Sequence, residues 1–230
     1  MKNELASNIV SKIFANVFNV ENPFSIDEIL ERFAFDLKLP QKVVDSVTGE
    51  ATWATSINPS KFISVKSSMK IDNWMQEKSD IKGIDDIINL WQKINYTTTE
   101  RNYNCENVIE SDTVYESENV VRSCNCFGCK NIIFTDGCHH GEYLLASQRS
   151  GECSYSIRVD DSNSCTNSYN VICSGKISNS FFIQDCNTLH ECMFCAHISN
   201  KKFCIANMQF EEEEYYKIKK EVVKWIINQK

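Results

Sequence analysis

Short apolar runs recur at a fixed spacing between residues 104 and 210, and this repeat dominates the chain. The run Asn107-Val108-Ile109 returns every twelve residues as far as Tyr155-Ser156-Ile157. The register then slips, and the runs resume at steps of eleven from Asn170-Val171-Ile172 to Phe203-Cys204-Ile205. A constant period of this length is typical of stacked repeats, in which each unit buries its apolar side chains against its neighbours.

Each run contains two or three Val, Ile, Phe or Tyr residues, which is too short for a helix and fits a short strand. The pattern therefore predicts a mainly β fold, a parallel β-solenoid (β-helix) over residues 101–210. We expect two of these units to form one coil, because a coil made of a single unit would be very flat. An antiparallel meander is the alternative, but only Asp136-Gly137 supplies the turn pair that such hairpins favour.

Residues 1–100 are predicted to form a separate α+β region. Apolar positions at helical spacing predict one helix over residues 3–19, a second after the capping box Ser25 to Glu28, and a third over residues 84–94. Residues 51–66 favour a strand hairpin. We expect this region to cover the first coil, since an open strand edge would promote aggregation.

Residues 211–230 close the chain with a predicted amphipathic helix over 211–228. Four glutamates, Glu211 to Glu214, precede Lys217 and the other lysines, an order that complements the helix dipole. Tyr215 begins an apolar stripe at helical spacing. We expect this stripe to lie across the last coil as a cap.

Charge and hydropathy narrow the functional classes. The net charge of −7 argues against binding to a nucleic-acid backbone, which requires a basic surface. No apolar run is long enough to span a bilayer, and polar residues interrupt the N-terminal stretch where a signal peptide would be uninterrupted. The expectation is a cytoplasmic protein whose partner is another protein of unknown identity.

All twelve cysteines lie within the repeat, between Cys105 and Cys204. Free cysteine behaves as a small buried apolar residue, and small residues suit inward positions that recur in every coil. Reduced, stacked thiols are therefore the favoured interpretation. Disulfides and a metal site are the alternatives, and zinc is the only cofactor considered.

The densest cysteine cluster is the best candidate for a metal site, because zinc requires four thiolate or imidazole ligands. Its ligands would be Cys124, Cys126, Cys129 and Cys138. The pair Cys192 and Cys195 is a weaker candidate, since alternating side chains of a strand would place the two thiols on opposite faces.

Two catalytic arrangements are also conceivable. A cysteine with a histidine base would form a nucleophile, but no local motif selects one among twelve cysteines and four histidines. Arg158, Asp160 and Asp161 stand at the slip of the repeat, where paired carboxylates could perform acid–base chemistry on a sugar. The alternative is an exposed loop at the point where the period breaks.

The end of the repeat resembles a family of cysteine-rich short-repeat proteins found in uncultivated bacteria and phages. The resemblance rests on the box Asn200-Lys201-Lys202-Phe203-Cys204-Ile205-Ala206-Asn207 and on Glu213-Glu214-Tyr215, and it covers about residues 105–225. Residues 1–100 lack the paired-cysteine ribbon of some members. The resemblance implies a solenoid and assigns no catalytic residue.

Three hypotheses of function follow. The leading one is a non-enzymatic β-solenoid scaffold or protein-interaction module, for example a component of a larger assembly. The second is a zinc-binding protein that uses the Cys124–Cys138 cluster. The third is a solenoid enzyme with a site near Arg158–Asp161.

Overall fold

The computed structural model describes residues 2–58, 61–71 and 73–229. The helices within these residues are α1 Lys2–Val17, α2 Ile26–Phe33, α3 Val65–Ser68, α4 Ile84–Ile94 and α5 Glu212–Asn228. The strands before the solenoid are β1 Gln41–Val44, β2 Ala51–Ala54, β3 Phe62–Ser64 and β4 Thr97–Thr99. The strands of the solenoid are β5 Asn102–Tyr103, β6 Glu106–Ile109, β7 Asp112–Tyr115, β8 Glu118–Val121, β9 Cys124–Phe127, β10 Lys130–Ile133, β11 Asp136–His139, β12 Glu142–Leu145, β13 Gln148–Gly151, β14 Ser154–Asp160, β15 Tyr169–Ile172, β16 Gly175–Ser178, β17 Phe181–Gln184, β18 Asn187–Ala196, β19 Ser199–Ile205 and β20 Met208–Gln209. All four predicted helices are confirmed.

Residues 102–205 form a parallel β-solenoid of about 9 turns, as predicted. Val108 pairs with Val120, and Val120 pairs with Ile132, so that each coil advances by twelve residues. The expectation of two units per coil was therefore wrong. One unit closes one coil, because it contains two short strands rather than one.

A left-handed backbone residue at every third position makes so short a coil possible. From Asn104 to Ala206 each third residue has a positive φ, and only Gly128 and Gly137 among them are glycine. Such a residue turns the chain after each pair of extended residues, so the residues that precede it by two positions all point inward. Nine of these positions are Asn, the side chain that tolerates this conformation best after glycine.

Each full coil contributes four inward side chains, which stack into four columns along the axis. Column A contains Val108, Val120, Ile132, Leu144, Ser156, Ser168, Ser180, Cys192 and Cys204. Column B contains Ser111, Ser123, Thr135, Ser147, Val159, Val171, Ile183 and Cys195. Column C contains Val114, Cys126, Cys138, Ser150, Ser162, Ser174, Cys186 and Ile198. Column D contains Cys105, Ser117, Cys129, Gly141, Cys153, Cys165, Ile177 and Leu189. Together these columns form the inner core.

The predicted slip of the repeat does not occur in the backbone. Ile157 pairs with Tyr169, and Tyr169 pairs with Phe181, again at steps of twelve. What changes near Ser156 is the column that carries the bulky residues. Before Ser156 the Val, Ile and Leu residues occupy column A. After it Val and Ile occupy column B and serine occupies column A, so the cross-section of the inner core stays filled.

Inward hydroxyls and thiols satisfy one another's backbone groups between coils. Ser180 Oγ donates to the carbonyl of Ser178 at 2.8 Å and accepts from the amide of Cys192 in the next coil at 2.9 Å. Cys165 N donates in the same way to Cys153 Sγ at 3.4 Å. Serine and cysteine are therefore interchangeable acceptors in the inner core, where an unpaired amide would cost free energy.

A second core lies on the outside of the solenoid, beneath the helices. The residue after each column A position points outward, and this outer column is apolar along its length: Ile109, Val121, Ile133, Leu145, Ile157, Tyr169, Phe181, Met193 and Ile205. Helix α1 packs on β10, β12 and β14, and its residues Ile9, Ile13 and Phe14 are buried there. We call this layer the outer core.

Helix α5 packs its apolar side against the last coil, as predicted, and continues along the flank of the solenoid toward earlier coils. Tyr215 contacts Phe203 of the last coil, with ring centroids 5.5 Å apart, while Trp225 lies 5.8 Å from Phe182 two coils earlier. The apolar outer column explains this course, because it offers a stripe that matches the apolar face of the helix. The edge of the last coil also carries the exposed Lys201 and Lys202 and the short antiparallel strand β20.

The small strands cover the first coil. The predicted hairpin over residues 51–66 was wrong, because β2 pairs with β1 and β3 pairs in parallel with β4; Pro59 and Ser60, within the predicted hairpin, lie outside the described residues. Buried Asp112 fixes this end of the solenoid through Arg101, at 2.7 Å, and through the amide of Thr55, at 2.9 Å. None of the helices in the described ranges is long and apolar enough to cross a membrane.

Candidate functional site

Three of the four predicted metal ligands converge in the inner core. Cys126 and Cys138 are neighbours in column C, and Cys129 occupies column D one triplet after Cys126. Cys129 Sγ lies 3.2 Å from the carbonyl of Cys138, and Cys126 Sγ lies 3.5 Å from Thr135 Oγ1. All three side chains are completely buried.

The protonation of these three thiols is linked. Hydrogen bonds from Cys126 and Cys138 lower the pKa of Cys129 to about 3. The same contact with Cys129, together with burial, raises the pKa of Cys126 and of Cys138. A metal ion bound here would have to displace the protons of Cys126 and Cys138.

Cys124, the fourth predicted ligand, faces outward. Its sulfur lies 3.6 Å from the carbonyl of Lys38 and 3.4 Å from Asp136 Oδ1, in the gap between the solenoid and the loop after α2. Burial, followed by the nearby Asp136, raises the pKa of this thiol. The structure thus brings together three of the predicted ligands and separates the fourth.

The argument that Cys192 and Cys195 point to opposite faces was wrong. Both are inward residues, in columns A and B, because the left-handed residue Phe194 turns the chain between them. A hydrogen bond from Cys192 lowers the pKa of Cys195 to about 7. Because every third residue is left-handed, side chains three positions apart point the same way in this backbone, whereas those two or four apart do not.

Ten of the twelve cysteines occupy the inner columns, and Cys124 and Cys173 do not. The expected small, inward placement is thus confirmed for those ten. In the part of the chain that the structure describes, no group of three or more His, Cys, Asp or Glu side chains has an arrangement that could hold a metal ion. His190 and His197 face Ser178 and Asp185.

The charged residues at the supposed slip form ion pairs. Arg158 binds Asp36 at 2.7 Å and the carbonyl of Phe33 at 2.6 Å, which fastens the end of α2 to the solenoid. Asp160 and Asp161 both bind Arg149, at 2.5 and 2.7 Å. Asp160 lies within strand β14, whereas Asp161 follows the strand and is exposed, so the predicted exposed loop is confirmed only for Asp161. Each of these charged groups already has an ionic partner.

A groove of about 450 Å³ separates the end of α1 from α5. Val17, Phe18 and Val223 line its apolar part. Lys219 stands at its edge, but its ammonium group binds Glu191 at 2.6 Å and the carbonyl of Asn179 at 2.9 Å. Both contacts are with the solenoid, so Lys219 attaches α5 to the solenoid at the rim of the outer core.

The least expected surface is on α4. Five of its six apolar side chains are exposed, and Leu90 is half-buried. The exposed ones are Ile84, Ile87, Ile88, Trp91 and Ile94. Helix α4 contains no buried residue, although α1 and α5 bury theirs against the solenoid. The neighbouring segment also exposes Met69, Trp74, Met75 and Ile81. We call the five residues of α4 together with these four the α4 surface.

Polar contacts attach α4 to the rest of the chain. Asp86 accepts from the amide of Lys82 at 2.8 Å, and Gln76 donates to the carbonyl of Leu90 at 3.1 Å. Lys61 donates to the carbonyl of Gln92 and lies 5.3 Å from the ring of Tyr96. These contacts hold the helix through its polar side and its carboxyl end, and they leave the apolar side uncovered.

Comparison with known proteins identifies no relative: no family model, curated protein or solved structure matches the chain.

Proposed function

We propose that this protein is a non-enzymatic β-solenoid scaffold that binds another protein through the α4 surface. The observation that carries the proposal is an amphipathic helix that exposes five of its six apolar side chains. Their exposed fractions range from 38% for Ile94 to 66% for Ile84. Clustered exposed apolar side chains of this kind mark interaction sites on soluble proteins.

The solenoid supports this role by its rigidity. Its backbone amides are paired from coil to coil, and two cores hold it together. An extended, stiff body of this kind commonly presents a binding surface rather than a catalytic cleft.

We propose a cytoplasmic location for the same reasons as above, and membership of the cysteine-rich repeat family that the closing box resembles.

Capture with matched baits tests the proposal. The baits are the wild-type chain, Trp91→Glu on the α4 surface, and Met208→Glu at the far end of the solenoid. Trp91 and Met208 are equally exposed, at 56% and 57%, so the two substitutions differ in position rather than in solvent access. Each is exposed enough that a glutamate should not disturb folding.

The expected result is a protein from the source cells that binds wild type and Met208→Glu but not Trp91→Glu. The same difference must then appear between purified components. If no protein distinguishes the two variants, the proposed function is wrong.

A further inference from the structure

We infer that the groove between the end of α1 and α5 binds a free aliphatic monocarboxylate, that is, a fatty acid of medium chain length. The inference is independent of the proposed function, because the residues that line the groove do not belong to the α4 surface. It follows from the apolar wall of the groove, from its size and from the charge of the residues at its edge.

The groove has an apolar wall because α1 ends beside α5. Asn19, just after the end of α1, adopts a left-handed conformation and turns the chain. Val20 then continues the wall that Val17 and Phe18 begin, and Val223 supplies the α5 side. An aliphatic chain gains free energy on entering such a site, because its apolar surface leaves water.

The size of the groove fits a small molecule. Its volume is about 450 Å³, within the range of about 300–1,000 Å³ that is typical of small-molecule sites. A single turn of helix, about 10 Å across and 5.4 Å long, would already fill this volume, so a docked protein segment is disfavoured. Small-molecule sites combine apolar walls with a few polar groups that orient the ligand. One alkyl chain with one polar head matches that composition.

The charged residues that line the groove are all lysines of α5: Lys219, Lys220 and Lys224. No carboxylate of the described residues is among the lining groups, although the whole chain has a net charge of −7. Lys220 and Lys224 lie one turn apart on the side of α5 that also presents Val223. Cationic groups at the edge of an apolar wall suit an anion with an apolar tail.

Lys220 is the lysine best placed to bind the carboxylate. Lys219 is occupied by Glu191. Lys224 lies 2.8 Å from Glu221, but both side chains are exposed, and such a pair is weak. Lys220 is exposed, and within the part of the chain that the structure describes it has no hydrogen bond or ion pair. The carboxyl end of α1 contributes about half a negative charge, which is less than the full charge of Lys220.

Titration of the full wild-type chain with decanoate, followed by calorimetry and by nuclear magnetic resonance, tests the inference. With decanoate up to about 1 mM we expect saturable binding, with the largest amide shifts at Phe18, Val20 and Val223. Decanol and decylamine have the same chain without a negative charge, and they should bind at least about tenfold more weakly. Octanoate should bind at least about fourfold more weakly, since each buried methylene group contributes about that factor.

Two variants on the same helix locate the head group. Lys220→Glu should weaken decanoate binding at least about tenfold. Lys217→Glu is the matched control, because it makes the same charge change at an exposed lysine of α5 outside the groove. This control should bind decanoate nearly as wild type does. Circular dichroism verifies that both variants fold, and the comparison of ligands on the wild-type chain does not depend on either variant.

Several results would overturn the inference. If the wild-type chain does not bind decanoate, the lysines serve only the carboxyl end of α1. If decanol binds as tightly as decanoate, the head group makes no contribution. If the chain cosediments with vesicles of phosphatidylglycerol but does not bind decanoate, the lysines contact a membrane surface instead. Equal binding of decanoate by Lys220→Glu and Lys217→Glu would place the ligand outside the groove.

Discussion

The inner and outer cores of this protein use the same strands in different ways. The inner core is a narrow channel filled by Ser, Cys, Thr, Val and Ile, and its hydroxyls and thiols satisfy backbone amides. The outer core is an interface between helices and the solenoid, and it contains large rings such as Phe14, Phe18 and Phe181. Two adjacent residues of one apolar run therefore belong to two different cores.

The difference shows that volume is limited inside and abundant outside. An inward position has neighbours fixed by the coils above and below. An outward position is covered by helices, whose side chains accommodate rings in edge-to-face contact. We expect truncation of a side chain to lower the free energy of unfolding most in the outer core. An added atom should lower it most in the inner core.

Phe14→Ala should have the largest effect, a loss of about 3–5 kcal/mol in the free energy of unfolding. Phe14 is completely buried, and its ring contacts Phe18, Phe24 and Phe33. Urea denaturation measures the loss. Phe35→Ala is the control, since Phe35 is 70% exposed, and it should cost less than about 1 kcal/mol. Equal losses in the two variants would contradict the outer core as described.

Gly141→Ala should cost about 1–3 kcal/mol by overpacking the inner core. An added Cβ would lie 2.5 Å from Cys138 Sγ and 2.6 Å from Leu144 Cδ1. Gly151→Ala is the matched control, because its nearest atom would be 3.6 Å away. Thermal or urea unfolding compares the two variants. If both are equally stable, the inner core has more free space than the columns imply.

Ser180→Ala should cost about 1–2 kcal/mol, because it leaves the buried amide of Cys192 without an acceptor. Ser180→Cys keeps an acceptor and should cost less, as the pair Cys153 and Cys165 indicates. The unfolding free energies of the two variants test the exchange of serine for cysteine directly. A greater loss from cysteine than from alanine would show that volume, rather than hydrogen bonding, decides the inner positions.

Asp36→Asn should have the smallest effect, at most about 1 kcal/mol at pH 7, since the ion pair with Arg158 at the rim of the outer core is partly exposed. The hydrogen bond from Arg158 lowers the pKa of Asp36. Its stabilisation is therefore complete above the unfolded-state pKa of about 3.9 and disappears as pH falls below it. Unfolding measured at pH 7 and at pH 2 should differ less in Asp36→Asn than in wild type, and an unchanged difference would contradict the pairing.

The periodic pattern predicted the solenoid and its four flanking helices, because stacked coils and amphipathic helices leave regular traces in a sequence. It did not predict the coil size, since the left-handed positions are occupied by Glu110, Arg122 and Phe134 as well as by Asn. No local preference identifies such residues as left-handed. The apparent slip has a related cause, because the bulky residues move to another column near Ser156 while the backbone register stays at twelve residues.

The candidate sites were harder to predict than the fold. Cys126, Cys129 and Cys138 were selected by density along the chain, and they converge because their spacings suit columns C and D. Cys124 lies outside the cluster because a shift of one residue along this backbone changes a side chain from inward to outward. The exposure of α4 could not be predicted, since an apolar stripe indicates a helix but does not identify what covers it.

Helix α1 also limits how this protein can change in length. Together with Phe18, the residue that follows it, α1 contacts the outer column from Ile133 to Phe181, a distance of about 19 Å for strands about 4.8 Å apart. A helix of 16 residues measures about 24 Å, so the two are closely matched. A duplication or deletion of twelve residues would preserve every column of the inner core. Within this span, however, a duplication would leave the outer apolar residues of one coil uncovered. A deletion would leave about one turn of the helix without contacts. Whole coils can therefore be added or removed without disturbing α1 only outside the stretch that this helix spans.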